Sequence, residues 1–371
     1  MFGKKSLLSV IFVVLLSFGL IGGCGGSSSN NNGGGGGGGG GTNDALIQAI
    51  INQYVDNVVI ATYGVLADRS SDLKEAVEDL RDDPTDENLE AARDAWVVAR
   101  RPWEQTEAWL FGPVDAKGHD PALDSWPVNR TDLQALLDSD VDFTPEFIRT
   151  ADPLLKGFHG AEFILFDFEI EDLGDREFEY LVAVACDIEL TADELFTDWT
   201  QGDGGLFTEP FGQTMKTAGP GNNVFPSLVT ALQQIIDGMS IIIDEVSAGK
   251  IADPFDTGDV ESVESQFSFN SLLDFQNDIR GVQNAWLGDY PDEGLFGQGL
   301  NDLIFLEDPA LTAQVTNEIA AAIAAIGNIP PPFRDAINDP DAADEIVAAQ
   351  NALDTLFATL NGPVLDIINS Q

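Results

Sequence analysis

The chain has 371 residues and a formal net charge of −46, from 63 acidic and 17 basic side chains. Because affinity for nucleic acids depends on Lys and Arg side chains that neutralise phosphates, this balance excludes nucleic acid as a partner. A strongly acidic surface attracts cations, and it is also typical of proteins adapted to a salty medium. Both explanations of the charge stay open at this point.

The N-terminus has the layout of a secretory signal. Two lysines precede an apolar run over residues 7–21, and small residues then lead to Cys24. A membrane span needs about 20 apolar residues, so cleavage with lipid attachment is favoured over an uncleaved anchor helix. We predict a signal peptide over 1–23 and a membrane anchor through lipid on Cys24. Gly25 stands where a retention signal carries Asp, which indicates the outer membrane, with the protein facing the periplasm or the cell surface.

Residues 25–41 contain only Gly, Ser and Asn, a composition that cannot bury a core. We therefore predict that residues 24–42, from the lipidated cysteine onwards, form a flexible tether. The only other cysteine is Cys186, so no intrachain disulfide can form once Cys24 carries lipid. Because Cys186 lies in an apolar helical stretch, we expect a small buried side chain rather than a reactive or metal-binding thiol.

Beyond the tether, apolar residues recur at helical spacing and strand-like alternation is scarce, which predicts an all-α fold. Helix start signals stand at Thr85, at Thr131 with Gln134 as a capping box, and at Thr144. Further helices are predicted over 154–168, 175–200, 225–247, 270–288, 309–327 and 341–360.

A stretch rich in Gly, Pro and Asp over 201–225 interrupts the helical pattern. We place a domain boundary there, which predicts an N-terminal helical bundle over 43–205 and a C-terminal helical bundle over 206–371. The interhelix loops near 111–129 and 288–296 are long enough to line a site.

The chain contains only two histidines, which limits the metal chemistry it can support. His159 and Glu162 are three residues apart and share one face of a helix, so they can bind one ion or can be hydrogen-bonded at a bundle interface. His119 is a further candidate ligand, although a histidine in a loop is typical of a solvated surface. The zinc hydrolase patterns need a second histidine that is missing here. A donor set rich in carboxylates suits iron, manganese or calcium better than hydrolytic zinc.

A second candidate region combines aromatic and charged residues. Trp96, Arg100, Trp103 and Glu107 are spaced by four, three and four residues, so they form one stripe if the helix continues through Pro102. A stripe of tryptophans is usually core, whereas an Arg and a Glu within it need partners and favour a functional site. Both interpretations stay open.

Four motifs follow one another along the chain. They are Trp96…Arg100-x-Pro102-Trp103-Glu104-x-x-Glu107 with Phe111-Gly112-Pro113, then Asp124-Ser-Trp126-Pro127, then Gly157-x-His159-x-x-Glu162, then Glu264-Ser-Gln-Phe267-Ser with Asp274-Phe275 and Gly281. In this order they resemble the imelysin-like proteins, and the resemblance covers most of the chain after Asp44. Four motifs in order are more specific than any one of them.

Imelysin-like proteins are periplasmic or surface proteins that are tied to bacterial iron uptake and are grouped formally with a metallopeptidase. The resemblance implies two helical bundles, with His159 and Glu162 near their interface. It also implies Glu104, Glu107 and Asp124 as further candidate ligands of a metal ion, for which we expect iron. The motif residues expected around the site are Gly157, Trp96, Arg100, Pro102, Trp103 and Trp126.

Three functions remain. The first is a lipoprotein that binds iron or an iron-containing ligand for uptake, with an iron-uptake receptor or transporter as a partner. The second is a metallopeptidase, which needs a metal-bound water and a general base, and for which the chain has few nitrogen ligands. The third is a metal-independent module that binds a polymer or a protein through the Trp and Arg stripe. The first function accounts for the lipid anchor, the acidic charge and the His159/Glu162 pair together, and it is the function that we predict.

Overall fold

The computed structural model describes residues 40–371, and the regular structure of this range is helical apart from one isolated bridge between Tyr290 and Leu295. The predicted all-α fold is therefore confirmed. The signal peptide, Cys24 and the tether up to residue 39 lie outside the described residues and stay predictions. The first described helix starts at Gly40, so residues 40–42, which we expected in the tether, are helical.

The helices of the first half are α1 (Gly40–Gln53), α2 (Ala61–Asp82), α3 (Asp86–Thr106), α4 (Pro113–Lys117), α5 (His119–Asp124), α6 (Arg130–Leu137), α7 (Pro145–Arg149), α8 (Gly157–Asp167) and α9 (Asp175–Thr200). Those of the second half are α10 (Phe211–Lys216), α11 (Leu228–Asp244), α12 (Asp253–Thr257), α13 (Ser271–Leu287), α14 (Leu300–Glu307), α15 (Pro309–Gly327), α16 (Phe333–Ala336), α17 (Ala343–Thr359) and α18 (Leu365–Asn369). The bounds of α9 and α15 agree with the prediction to the residue. Two of the predicted irregular stretches, 111–129 and 201–225, contain short α-helices.

Helix α11 begins three residues later than predicted and is prolonged by a π-helical segment, Glu245–Ala252. Two of the three predicted start signals are confirmed, because the hydroxyls of Thr85 and Thr144 accept hydrogen bonds from backbone amides of the first turn. The prediction at Thr131 is wrong. Helix α6 begins at Arg130, and the side chain of Asn129 accepts the capping hydrogen bond from the Asp132 amide.

Long helices pack side by side around one continuous apolar core. Helix α2 lies against α3 and α9, and α3 also lies against α13, which packs on α15. The buried apolar residues of α3 are spaced by three or four, as expected for one helix face: Leu89, Ala92, Trp96, Ala99 and Trp103.

The contact between α3 and α13 is close enough for the two backbones to touch. Gly281 of α13 lies against the carbonyl of Gln105, and a Cβ atom at this position would overlap that carbonyl. The next turns of both helices carry charged side chains, which this close packing brings together. The described residues, 40–371, lie within one compact unit, and the division at residues 205 and 206 stays a prediction.

The expectation that the Cys186 side chain is buried is wrong. Its side chain on α9 is half-buried, beside a pocket that Lys74 and Phe143 also line. Most apolar residues of the stretch around it point inward, among them Leu181 and Val184, and Cys186 falls at the edge of this buried face. Burial and neighbouring acids raise the pKa of its thiol, which does not favour a reactive thiolate.

Candidate functional site

The site is built on α3, which continues through Pro102 to Thr106 and is followed by a short turn at Glu107–Trp109. The residues of the predicted stripe, Trp96, Arg100, Trp103 and Glu107, are therefore all buried, and Arg100 and both tryptophans are 0% exposed. A fully buried guanidinium is costly unless acids neutralise it. The environment of Arg100 supplies these acids.

Arg100 contacts four carboxylates, three of which come from distant parts of the chain. It pairs with Glu104 one turn along α3 and with Asp124 at the end of α5. Its Nη2 lies 2.8 Å from Oε1 of Glu264, and its Nε lies 3.7 Å from Oδ2 of Asp274. One arginine thus gathers acids from three of the four sequence motifs.

Lys250 lies in the π-helical segment after α11 and, like Arg100, contacts four carboxylates. Its Nζ lies 2.7 Å from Glu107, 3.2 Å from Glu264 and 3.3 Å from both Glu104 and Asp278. Sequence reasoning missed Lys250, which stands in no motif. Asp278 was missed as well, although its spacing of four from Asp274 places both acids on one face of α13.

His159 lies on α8 between two groups of acids. Its Nδ1 lies 3.0 Å from Oε2 of Glu162, and its Nε2 lies 3.0 Å from Oδ1 of Asp124 and 3.7 Å from Oε1 of Glu264. The other oxygen of Glu162 accepts hydrogen bonds from the Phe267 and Ser268 amides and from the Ser268 hydroxyl. Glu162 therefore orients the imidazole, and Nε2 is the nitrogen that faces the remaining acids.

The presence of glycine at the start of the His159 motif has a steric explanation. Gly157 has a φ of +67°, in the left-handed region, and a Cβ atom there would overlap the carbonyl of Leu123. Helix α8 can therefore approach the end of α5 closely. This approach places His159 against Asp124, the last residue of α5.

Tryptophans close the site. The indole N–H of Trp103 donates to Oδ2 of Asp124 over 2.7 Å, and that of Trp96 donates to the carbonyl of Phe158. Trp126 lies beside the His159 ring, at 6.4 Å between ring centroids, and under Nζ of Lys250. These rings shield the charges from water, which strengthens every ionic contact among them.

We call the whole arrangement the buried acidic cluster. It contains seven carboxylates and three basic side chains, none of them more than 3% exposed: Glu104, Glu107, Asp124, Glu162, Glu264, Asp274 and Asp278, with Arg100, Lys250 and His159. Two groups within it have donor atoms that all lie within 4.8 Å of one another, namely Asp124, His159 and Glu264, and Glu104, Glu107 and Asp124. Asp124 belongs to both.

The pKa values divide the acids into two kinds. Burial raises the pKa of Glu104 and Glu107, and it also raises those of Asp274 and Asp278. For Asp124, burial acts in the same direction, but Arg100 and His159 outweigh it and hold the pKa well below its usual range. Asp124 is thus the acid that the fold stabilises most clearly as a carboxylate.

The donor set fits a cation that accepts mixed nitrogen and oxygen ligands. Among the residues that the structure describes, no hydrogen bond of acceptable geometry reaches Nε2 of His159 or either carboxylate oxygen of Asp278. Buried polar atoms in proteins normally have such a partner. The arrangement can therefore hold a metal ion beside Asp124, with one imidazole nitrogen and several carboxylate oxygens within reach.

His119 lies elsewhere. It begins α5 and is 4% exposed, so the expectation of a solvated loop residue is wrong. Its Nε2 is 3.8 Å from Oδ2 of Asp198, which already pairs with Lys117 over 2.8 Å. Burial, helped by Lys117 and Arg149, lowers the pKa of His119 to about 4. The structure does not bring His119 to the buried acidic cluster.

These observations define a class of protein: it is all-helical, and it has a buried acidic cluster around a helix with the Gly-x-His-x-x-Glu motif. The family model of imelysin matches residues 59–360, and the chain belongs to the imelysin family. It is 32% identical over 319 residues to iron-regulated protein A of Synechococcus elongatus, and the match covers 86% of each chain. The predicted membership of this family is confirmed.

Two solved structures share the fold. An iron-regulated protein A precursor from Parabacteroides distasonis has a TM-score of 0.79 and 28% identity, over 88% of this chain and 95% of that one. An imelysin-like protein from Psychrobacter arcticum has a TM-score of 0.70 and 13% identity, over 88% of this chain and 96% of that one. The second likeness supports the fold alone. The relatives named for iron regulation support an iron-related role for the family.

Proposed function

We propose that this protein is an imelysin-like lipoprotein that binds iron, or an iron-containing ligand, at the buried acidic cluster for uptake. The observation that carries the proposal is the surplus of acids over bases at a site that water does not reach. Buried carboxylates are costly unless protons or cations neutralise them, and three basic side chains face seven acids here. A bound cation would remove part of that cost.

Asp124, His159 and Glu264 are the ligands we propose first, with Glu104 and Glu107 as further oxygen donors. Iron binds imidazole and carboxylate ligands readily, and it would supply a positive charge at the centre of the site. Arg100 and Lys250 keep the carboxylates gathered when no ion is bound. Glu162 positions His159 and, in this proposal, does not bind the ion itself.

The location that the N-terminal sequence predicts would favour uptake over a role inside the cell. Lipid on Cys24 would hold it at the outer membrane, facing the periplasm or the cell surface, where it could meet an iron-uptake receptor or transporter. The net charge of −46 would raise the local concentration of cations near the surface.

The geometry gives the other two functions less support. A peptidase needs an open position at which a metal-bound water meets a peptide bond, and every proposed ligand is at most 3% exposed. A polymer-binding surface made of the Trp and Arg stripe would need exposed side chains, whereas Trp96, Arg100 and Trp103 are fully buried.

The test is iron binding by calorimetry, with anaerobic ferrous iron, together with the metal content of the protein purified without an affinity tag. We expect His159→Ala and Asp124→Asn each to weaken iron binding ten-fold or more, which is about 1.4 kcal/mol. His119→Ala is the matched control, because it removes the chain's other buried histidine and should leave iron binding unchanged. Equal iron affinity in the parent, His159→Ala and Asp124→Asn would refute the proposal.

A further inference from the structure

A second group of charged side chains lies on the other side of the contact between α3 and α13. A pocket of about 160 Å³ opens there between the two helices and the turn Pro291–Glu293. Arg101 and Gln105 line it from α3, and Arg280 and Asn284 line it from α13. Its volume is that of roughly five water molecules, at about 30 Å³ each.

Arg280 is unusual in so acidic a chain. Of the lysines and arginines among the described residues, it is the one with neither an acidic group within 4.0 Å nor a side-chain hydrogen bond. The chain contains 63 acidic side chains, so an arginine without a partner is not a consequence of composition. Arg280 is half-buried, and it therefore loses part of its hydration without gaining an ionic contact.

The nearest charges leave a net positive charge around Arg280. Burial and the neighbouring Arg101 lower the pKa of Arg280, so two guanidinium groups repel each other across the pocket. Arg101 pairs with Asp292 over 2.7 Å, and Asp292 is the one carboxylate that lines the pocket. Two arginines and one aspartate leave the pocket with a positive charge, within a protein of net charge −46.

Amide side chains also line the pocket. Asn284 Nδ2 donates to Oε1 of Gln105 over 3.2 Å, and both side chains are buried. Gln283 also lines the pocket, from α13. Guanidinium groups bind carboxylate and phosphate oxygens through paired hydrogen bonds, and amide N–H groups add further donors.

We propose that this pocket, the Arg101/Arg280 pocket, binds a small oxyanion, with the two guanidinium groups clamping a carboxylate or phosphate group. Asp292 competes with the anion for Arg101 and therefore limits its affinity. The proposal does not depend on iron binding, because the pocket shares no side chain with the buried acidic cluster.

The test is calorimetry on the full chain, freed of metal by a chelator that is then removed, at constant low ionic strength. Acetate, citrate and inorganic phosphate are the probes. We expect at least one of them to bind, and tighter binding of the carboxylates or of phosphate identifies the source of the oxyanion. Arg280→Gln should weaken binding ten-fold or more. Arg81→Gln is the matched control, because Arg81 is an exposed arginine that pairs with Asp82, and it should change little.

Two further variants exclude misfolding as the explanation. Asp292→Asn should strengthen oxyanion binding several-fold, since it frees Arg101 and removes a negative charge, and a misfolded variant would not bind more tightly. Arg280→Lys should restore part of the affinity that Arg280→Gln loses, because it keeps the charge without the paired hydrogen bonds. The absence of binding for all three probes, unchanged affinity in Arg280→Gln, or weaker binding in Asp292→Asn would overturn the proposal.

Discussion

The two histidines of this chain are both buried but have opposite properties. Each has a carboxylate within 4 Å. Burial and Arg100 act to lower the pKa of His159, but the neighbouring acids Asp124, Glu162 and Glu264 outweigh them and raise it. His119 faces Asp198, which Lys117 already neutralises, and its pKa falls to about 4. The charge of a buried histidine thus depends on how many acids near it are left without another partner.

The largest effect should come from Asp124, which touches both Arg100 and His159. We expect Asp124→Asn to lower the free energy of unfolding by about 3 kcal/mol or more, because it removes one of the acids that compensate a fully buried arginine. Asp278→Asn is the matched control in the same cluster. Burial raises the pKa of Asp278 and so disfavours its charged form, and the amide should therefore cost less, below about 1 kcal/mol. Urea unfolding of both variants measures this, and equal losses would contradict the division of the acids into two kinds.

The glycines before the two histidines offer a second test. Gly118 and Gly157 both have a φ of +67°, so alanine at either position costs about 1–2 kcal/mol of left-handed strain. A Cβ atom at Gly157 would also overlap the carbonyl of Leu123, whereas at Gly118 the nearest atom is Pro121 Cγ at 3.9 Å. Gly157→Ala should therefore be the more damaging variant, by about 1–3 kcal/mol more. Equal melting temperatures of the two variants would show that α8 can move away from α5 freely.

The last test is the dependence of stability on pH at His119. Its pKa is about 4 in the folded protein and about 6.5 when unfolded, so the unfolded state binds the extra proton between these values. Stability is therefore lost as the pH falls from 6.5 towards 4, by at most roughly 3 kcal/mol from this group. His119→Gln should lose less stability than the parent between pH 7 and pH 4.5. Unfolding curves at both pH values measure this, and identical losses would contradict the lowered pKa.

The helical framework could be predicted from sequence because it depends on local patterns. Apolar spacing located α9 and α15 to the residue, and the hydroxyls of Thr85 and Thr144 were recognisable as caps. The motifs also located most of the buried acidic cluster, including Arg100, Asp124 and His159. The predicted burial of Cys186 was wrong because one position on a helix can fall at the edge of its apolar face.

The sequence could not predict which charged side chains contact one another in the folded protein. Glu162 was expected as a ligand beside His159, but the residues that surround its second oxygen stand more than 100 positions further along the chain. Lys250 belongs to no motif, and its partners Glu104 and Glu107 are 146 and 143 residues away. Spacing along a helix says nothing about contacts of this kind.

The sequence by itself determined the helices, the family and the residues that carry charge into the core, because these follow from side-chain periodicity and from motifs read within short segments. The tertiary structure alone decided that α3 and α13 touch at Gly281, and hence that one face of this contact gathers the buried acidic cluster while the other forms the Arg101/Arg280 pocket. The physical reason is that the cost of a buried charge depends on neighbours within about 4 Å, and only the packing of distant helices supplies those neighbours.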